Sequence, residues 1–157
     1  MGTRFYDRDP SAPEPNRPRA LSVYALIDRA DDLLLELRRD APLWSLIAGR
    51  VEDGESVLQG LTREVAEETG LVVTGATFFG HFSDPGRIVS YPDGNTYSLV
   101  SLAYLVSVES FEPLRAGPES RELRFFSRDA LRGMEVPATQ RRVLDRYVAG
   151  AAGPHLE

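Results

Sequence analysis

The chain has 157 residues, 42% apolar and 27% charged, with 18 basic and 24 acidic side chains and a net charge of −6. Every lysine-or-arginine position is arginine, and cysteine is absent too. That excludes a lysine-dependent phosphate loop, a Schiff base, thiol catalysis, disulfides and cysteine-ligated zinc, while the acidic balance disfavours nucleic-acid and anionic-membrane partners.

Residues 1–19 carry Pro10, Pro13, Pro15 and Pro18 among charges, which predicts an extended arm. It holds no apolar signal core, and the longest apolar stretch, 99–108, is too short to span a bilayer. A cytoplasmic location is the expectation. Ala20 to Asp28 and Leu33 to Arg38 read as strands of a hairpin across Arg29 to Asp32. Leu43 to Ala48 reads as a short strand, followed by an acidic loop, Gly49 to Glu55. Ser56 then opens a helix, with Gln59 at capping-box spacing. Val57, Leu58, Leu61 and Val65 give it one apolar face, and Gly70 is placed to end it. Strands follow at 71–82, 87–91 and 96–108, the last two joined by the turn Pro92-Asp93-Gly94-Asn95. Leu123 to Phe126 reads as a final strand, and 127–134 and 138–149 as helices. Residues 20–150 thus form a single α/β domain with a mixed sheet. Residues 151–157 read as a tail, and Leu156-Glu157 has the form of a purification-tag remnant.

The chemistry concentrates between Arg50 and Glu68. Six acids and two arginines there give 2 − 6 = −4, against −6 for the whole chain. On a helical wheel Glu64 and Glu68 are i,i+4 partners at the edge of the apolar face, and Glu67 lies three residues from Glu64. Like charges at this spacing cost about 0.2–0.5 kcal/mol. Anions in the last helical turn oppose the helix dipole by about 0.3–1 kcal/mol each. A divalent cation reverses the sign of both effects, and clustered carboxylates suit Mg²⁺ or Mn²⁺. Arg63 is the helix's sole cation, in reach of Glu67 or, across the loop, Glu55. Read from the carboxylates alone, an ordinary acidic surface helix remains the alternative.

The whole segment resembles the box of the Nudix hydrolases, MutT-type enzymes. Gly49, Glu55, Arg63, Glu64, Val65, Glu67, Glu68, Gly70 and Leu71 stand at each position of that pattern. The resemblance implies the family's α/β/α sandwich, with the loop-helix-loop of the box as its site. It implies Mg²⁺ or Mn²⁺ held by Glu64, Glu67, Glu68 and the backbone carbonyl of Ala48. Glu64 would serve as the base for water, with Arg63 in the catalytic group, and Gly49, Glu55 and Gly70 would shape the motif. The reaction would be hydrolysis of a nucleoside diphosphate linked to another moiety, a small-molecule substrate. One departure is Ile47-Ala48, where many members have Pro-Gly.

Further candidates lie outside the box. Glu119, with Glu122 in reserve, resembles the family's extra acidic ligand or base, against the alternative of a solvated acid. Arg38 is a candidate for substrate phosphate, and Tyr24 and Tyr91 for stacking on a ring. Pro85, 15 residues beyond Gly70, resembles the proline of the ADP-ribose subgroup and reads equally as a turn. His81, His155 and Trp44 read as structural. A non-catalytic ligand-sensing or interaction module on the same fold is the competing function. An isomerase of related fold would need a cysteine that this chain lacks. A monomer and a homodimer are both compatible with the sequence.

Overall fold

The computed structural model describes residues 2–157. Its strands are β1 (Arg4–Asp7), β2 (Ala20–Leu26), β3 (Asp28–Arg29), β4 (Asp32–Arg38), β5 (Trp44–Arg50), β6 (Val73–Phe82), β7 (Arg87–Ser90), β8 (Thr96–Val108), β9 (Ser120–Phe126) and β10 (His155–Leu156). Its helices are α1 (Val57–Thr69), α2 (Arg128–Arg132) and α3 (Arg141–Ala149), the last entered through a 3-10 turn at Ala138–Gln140.

The sheet is mixed. β2 runs antiparallel to β5 and parallel to β8. β4 pairs antiparallel with β3, β5 and β9. β8 also takes β6 and β7 antiparallel. Strands with apolar residues on both faces must be covered on both sides. Alternate residues of β2, β4 and β5 therefore feed two cores. Val23, Ala25, Ile27, Leu34 and Ile47 meet Leu61 and Val65 of α1. Tyr24, Leu26, Leu33, Leu35 and Leu46 meet Leu131 of α2 and Val143, Leu144 and Tyr147 of α3. The result is an α/β/α sandwich.

Four details differ from the sequence reading. The hairpin exists only at its tip, where Asp28 pairs with Leu33 and Arg29 with Asp32. Its turn residues Ala30 and Asp31 take φ of 49° and 69°. Beyond the tip β5 inserts between β2 and β4, because turn chemistry is local and strand insertion is not. Leu58 leaves the apolar face and is 54% exposed, since the buried face of α1 runs from Gly60 and Leu61 to Glu68 and Thr69. The arm contributes strand β1, whose Phe5 pairs with Val89 of β7. The tail docks as well: His155 pairs with Gly80 on β6, and Glu157 binds Arg146. No helix among the described residues is long and apolar enough to cross a membrane.

Candidate active site

The site begins with how α1 is held. The Ser56 hydroxyl accepts from the Gln59 amide, and the Gln59 side chain accepts from the Ser56 amide. Such a cap stabilises a helix by about 1 kcal/mol. At the other end Gly70 takes φ 73° and returns its N–H to Ala66. The amides of Arg115 and Gly117 then bond the carbonyls of Thr69 and Glu68. Those bonds satisfy the carbonyls that a helix end leaves open, and they bring the 115–120 segment against the acidic turn.

Arg63 braces loop to helix. Its Nε and Nη2 reach Glu55 at 3.1 and 2.7 Å, its Nη1 reaches Glu64 at 2.7 Å and Glu67 at 3.2 Å, and Nη2 also donates to the Arg50 carbonyl. Hydrogen bonds to Arg63 hold the Glu55 carboxyl down at about 2. Glu64 behaves oppositely. Burial, reinforced by the charges of Glu68 and Glu67, pushes it up to about 7 against the pull of Arg63. Its carboxylate lies against Gly49, where there is no side chain to displace it. Ala48 keeps regular pairing with Tyr24, and the non-glycine residues at positive φ are Arg8, Ala30 and Asp31. The loop therefore needs no glycine at position 48.

Glu68 turns inward. Its Oε2 is 3.2 Å from the Ser120 hydroxyl, which also donates to Glu36 on β4. Burial, with Glu36 beside it, pushes the Glu68 carboxyl up. Glu67 is the exposed member of the set.

Beside this turn opens a cleft of about 540 Å³, lined by Glu64, Ala48, Arg38, Arg39, Arg50 and Glu119, with Tyr91 at one wall. A smaller recess of about 70 Å³ continues inward between Phe5, Tyr24, Val89 and Leu99, sharing Arg38, Arg50 and Tyr91 with the cleft. Arg38 is fixed by two bonds of 2.7 Å to Asp40, and Asp40 is held by Thr3 of the arm. Burial opposes the Arg38 charge, but the Asp40 pair outweighs it and raises its pKa. Arg50 stacks on Tyr97, 4.5 Å from the ring centroid.

The predicted residues Glu64, Ala48, Gly49, Arg38, Tyr91 and Glu119 thus meet at one cleft. Glu55, Arg63 and Glu67 form its outer brace. Tyr24 is buried at the recess, and its hydroxyl accepts from Arg87 at 3.0 Å. Glu122 faces elsewhere and pairs with Arg124. Pro85 belongs to the turn closed by the Arg87 amide on Asp84, and its carbonyl accepts from Ser98. Sequence reasoning passed over Glu36, Ser45, Ser120, Arg39, Arg50, Phe5 and Arg87. Glu36 alone left a trace, as a lone charge inside the apolar run LLLELR. Among the described residues no three acidic, histidine or cysteine side chains converge tightly enough to hold an ion in this arrangement, where Arg63 engages both Glu64 and Glu67.

A profile of the NUDIX domain matches residues 16–147. The chain belongs to the NUDIX family. It shares 33% identity over 110 residues with the ADP-ribose pyrophosphatase of Methanocaldococcus jannaschii, covering 68% of this chain and 61% of that protein. It shares 35% over 143 residues with the NAD-capped RNA hydrolase NudC of Pseudomonas aeruginosa PAO1, covering 86% of this chain and 47% of that protein. The NUDIX chain therefore spans about half to three-fifths of the length of these two relatives. The MutT protein from Methanosarcina mazei Go1 superposes with a TM-score of 0.70 at 25% identity, over 87% of this chain and 98% of that one. The NUDIX box coincides with the Arg63 brace and the carboxylates at the cleft.

Proposed function

We propose that this NUDIX chain is a pyrophosphohydrolase that cleaves the diphosphate of a nucleoside diphosphate derivative, with Mg²⁺ or Mn²⁺ at Glu64, Glu67, Glu68 and the Ala48 carbonyl. The observation that carries this reading is the cleft itself. A raised carboxylate, Glu64, faces three arginines, Arg38, Arg39 and Arg50, across about 540 Å³.

The donor set fits a hard divalent ion. All donors are oxygens, and both Glu64 and Glu68 are pushed up by burial and by like charges nearby. A cation relieves that repulsion. When bound, it would neutralise the diphosphate and acidify a water. The protein's own groups do the rest. Arg39 and Arg50 meet phosphate oxygens, while Arg38, clamped by Asp40, keeps its fork in place. Water attacks phosphorus in line, its proton passes to Glu64, and the P–O bond to the leaving phosphate breaks. Glu119, on the same cleft, is the alternative acceptor for that proton. The products are two phosphorylated fragments. The recess between Phe5, Tyr24 and Leu99 offers an apolar slot for a ring. ADP-ribose is the first substrate to test, given the archaeal relative.

A panel of nucleoside diphosphate derivatives, with Mg²⁺ or Mn²⁺ and HPLC of products, tests the reading. Turnover should fall at least 100-fold in Glu68→Gln and in Glu67→Gln, with circular dichroism unchanged. Full activity in both variants overturns the metal assignment. Binding without products across the panel favours a sensing module instead.

A further inference from the structure

Glu36 is 2% exposed on β4, and nothing in the box accounts for it. A carboxylate this deep is costly unless its oxygens are engaged. Its Oε2 accepts from Ser120, and the same hydroxyl lies 3.2 Å from Glu68. A serine has one hydrogen to donate, so Ser120 alone cannot serve two ionised carboxylates at once.

A second donor stands opposite. Ser45 of β5 pairs directly with Glu36 across the strands, which puts both side chains on one face of the sheet. Ser45 is fully buried, and its hydroxyl has no hydrogen-bond partner. Buried hydroxyls are rarely left unpaired, so this one marks a bond to be made. A turn of the Ser45 hydroxyl onto Glu36 frees the Ser120 hydrogen for Glu68. Two hydroxyls then serve two carboxylates, and both carboxylates can be ionised. Ser120 occupies Oε2 of Glu68, which leaves Oε1 for a cation.

We infer that Glu36, with Ser45 and Ser120, is a positioning set that holds Glu68 in the orientation and ionised form a divalent cation needs. This rests on the metal-dependent reading above. The set touches neither substrate nor reacting atoms, and it acts through Glu68 alone.

Titration of Mn²⁺ into metal-free protein by calorimetry tests it, alongside melting curves in EDTA. Ser120→Ala and Glu36→Leu should each weaken Mn²⁺ binding roughly 10- to 100-fold, the usual effect of losing a partner behind a metal ligand. Glu36→Gln, which accepts from Ser120 and donates to Glu68, should bind within threefold of wild type. Ser45→Ala should weaken binding less than Ser120→Ala. Replacing a buried charge by a similar apolar volume is often neutral or stabilising, so metal-free Glu36→Leu should melt no lower than wild type. Binding that falls while melting holds is a result that a merely structural role cannot give. Should Glu36→Leu fail to fold, Ser120→Ala carries the test with Glu36→Gln. Mn²⁺ binding within twofold of wild type in Ser120→Ala overturns the inference. Absence of Mn²⁺ binding in the wild-type chain overturns the metal reading itself, which keeps the two failures apart.

Discussion

The carboxylate of Glu64 rests against the α-carbon of Gly49. A β-carbon at position 49 would stand 1.9 Å from the Glu64 carboxyl carbon and 2.1 Å from its Oε1. Gly49 lies in β5, in regular pairing with Val23, so its lack of a side chain matters more than backbone freedom. Gly49→Ala should therefore push Glu64 aside while β5 stays paired. Activity should fall roughly 100-fold, as a displacement of about 1 Å at a reacting group does. The melting temperature should change little, because the displaced group is the end of a flexible side chain. Steady-state kinetics with melting curves checks both halves.

The raised Glu64 carboxyl has a consequence for stability. Between its ordinary value of 4.5 and its folded value of about 7, the folded chain binds a proton that the unfolded chain has released. The Glu64 contribution to stability is thus full below about 4.5 and is lost as pH rises through 7. Glu64→Gln removes the titration and keeps an oxygen for Arg63. In EDTA the variant should melt above wild type at pH 8, and that margin should shrink toward pH 5. Identical margins at both pH values would contradict the assignment.

Arg63 uses Nε, Nη1 and Nη2 on Glu55, Glu64 and Glu67 together. A lysine ammonium cannot reproduce that planar fork. Arg63→Lys should lower kcat roughly 10- to 100-fold despite keeping the charge. Glu55 should then titrate closer to 4.5 than to 2, which NMR of the side-chain carboxyl measures.

Phe5 comes from the arm and walls the recess beside Arg38, whose guanidinium lies 5.6 Å from the Phe5 ring centroid. Removal of the ring should cost binding and not chemistry. Phe5→Ala should raise KM roughly tenfold and leave kcat within about twofold, the pattern of lost ground-state binding. An unchanged KM would exclude the recess as part of the substrate site.

Arg87 is 2% exposed and has no carboxylate partner. It donates instead to the Phe82 and Thr139 carbonyls, Ser101 and Tyr24. It ties β7 and β8 to the 3-10 turn that lines the recess. Arg87→Met strands these acceptors and should cost about 3 kcal/mol. That corresponds to a fall of roughly 6–12 °C in Tm for a chain of this size, readable by calorimetry.

The sequence by itself determined whatever depends on short spacing. Ser56 and Gln59 cap α1, Gly70 ends it, and Glu64, Glu67 and Glu68 share one end because helical geometry fixes neighbours three and four residues apart. Composition likewise left arginine as the permanent cation available to meet phosphate. Tertiary structure decided what faces that turn. Glu36 and Ser120 are 84 positions apart, and Ser120 and Glu68 are 52 apart. They meet because β5 inserts between β2 and β4 while β9 takes the other edge of β4. Arg38, Arg39 and Arg50 converge on the cleft, with Phe5 behind them, for the same reason. No local pattern encodes such meetings. They follow from the burial of both sheet faces, which is satisfied only when the whole chain has found its strand order.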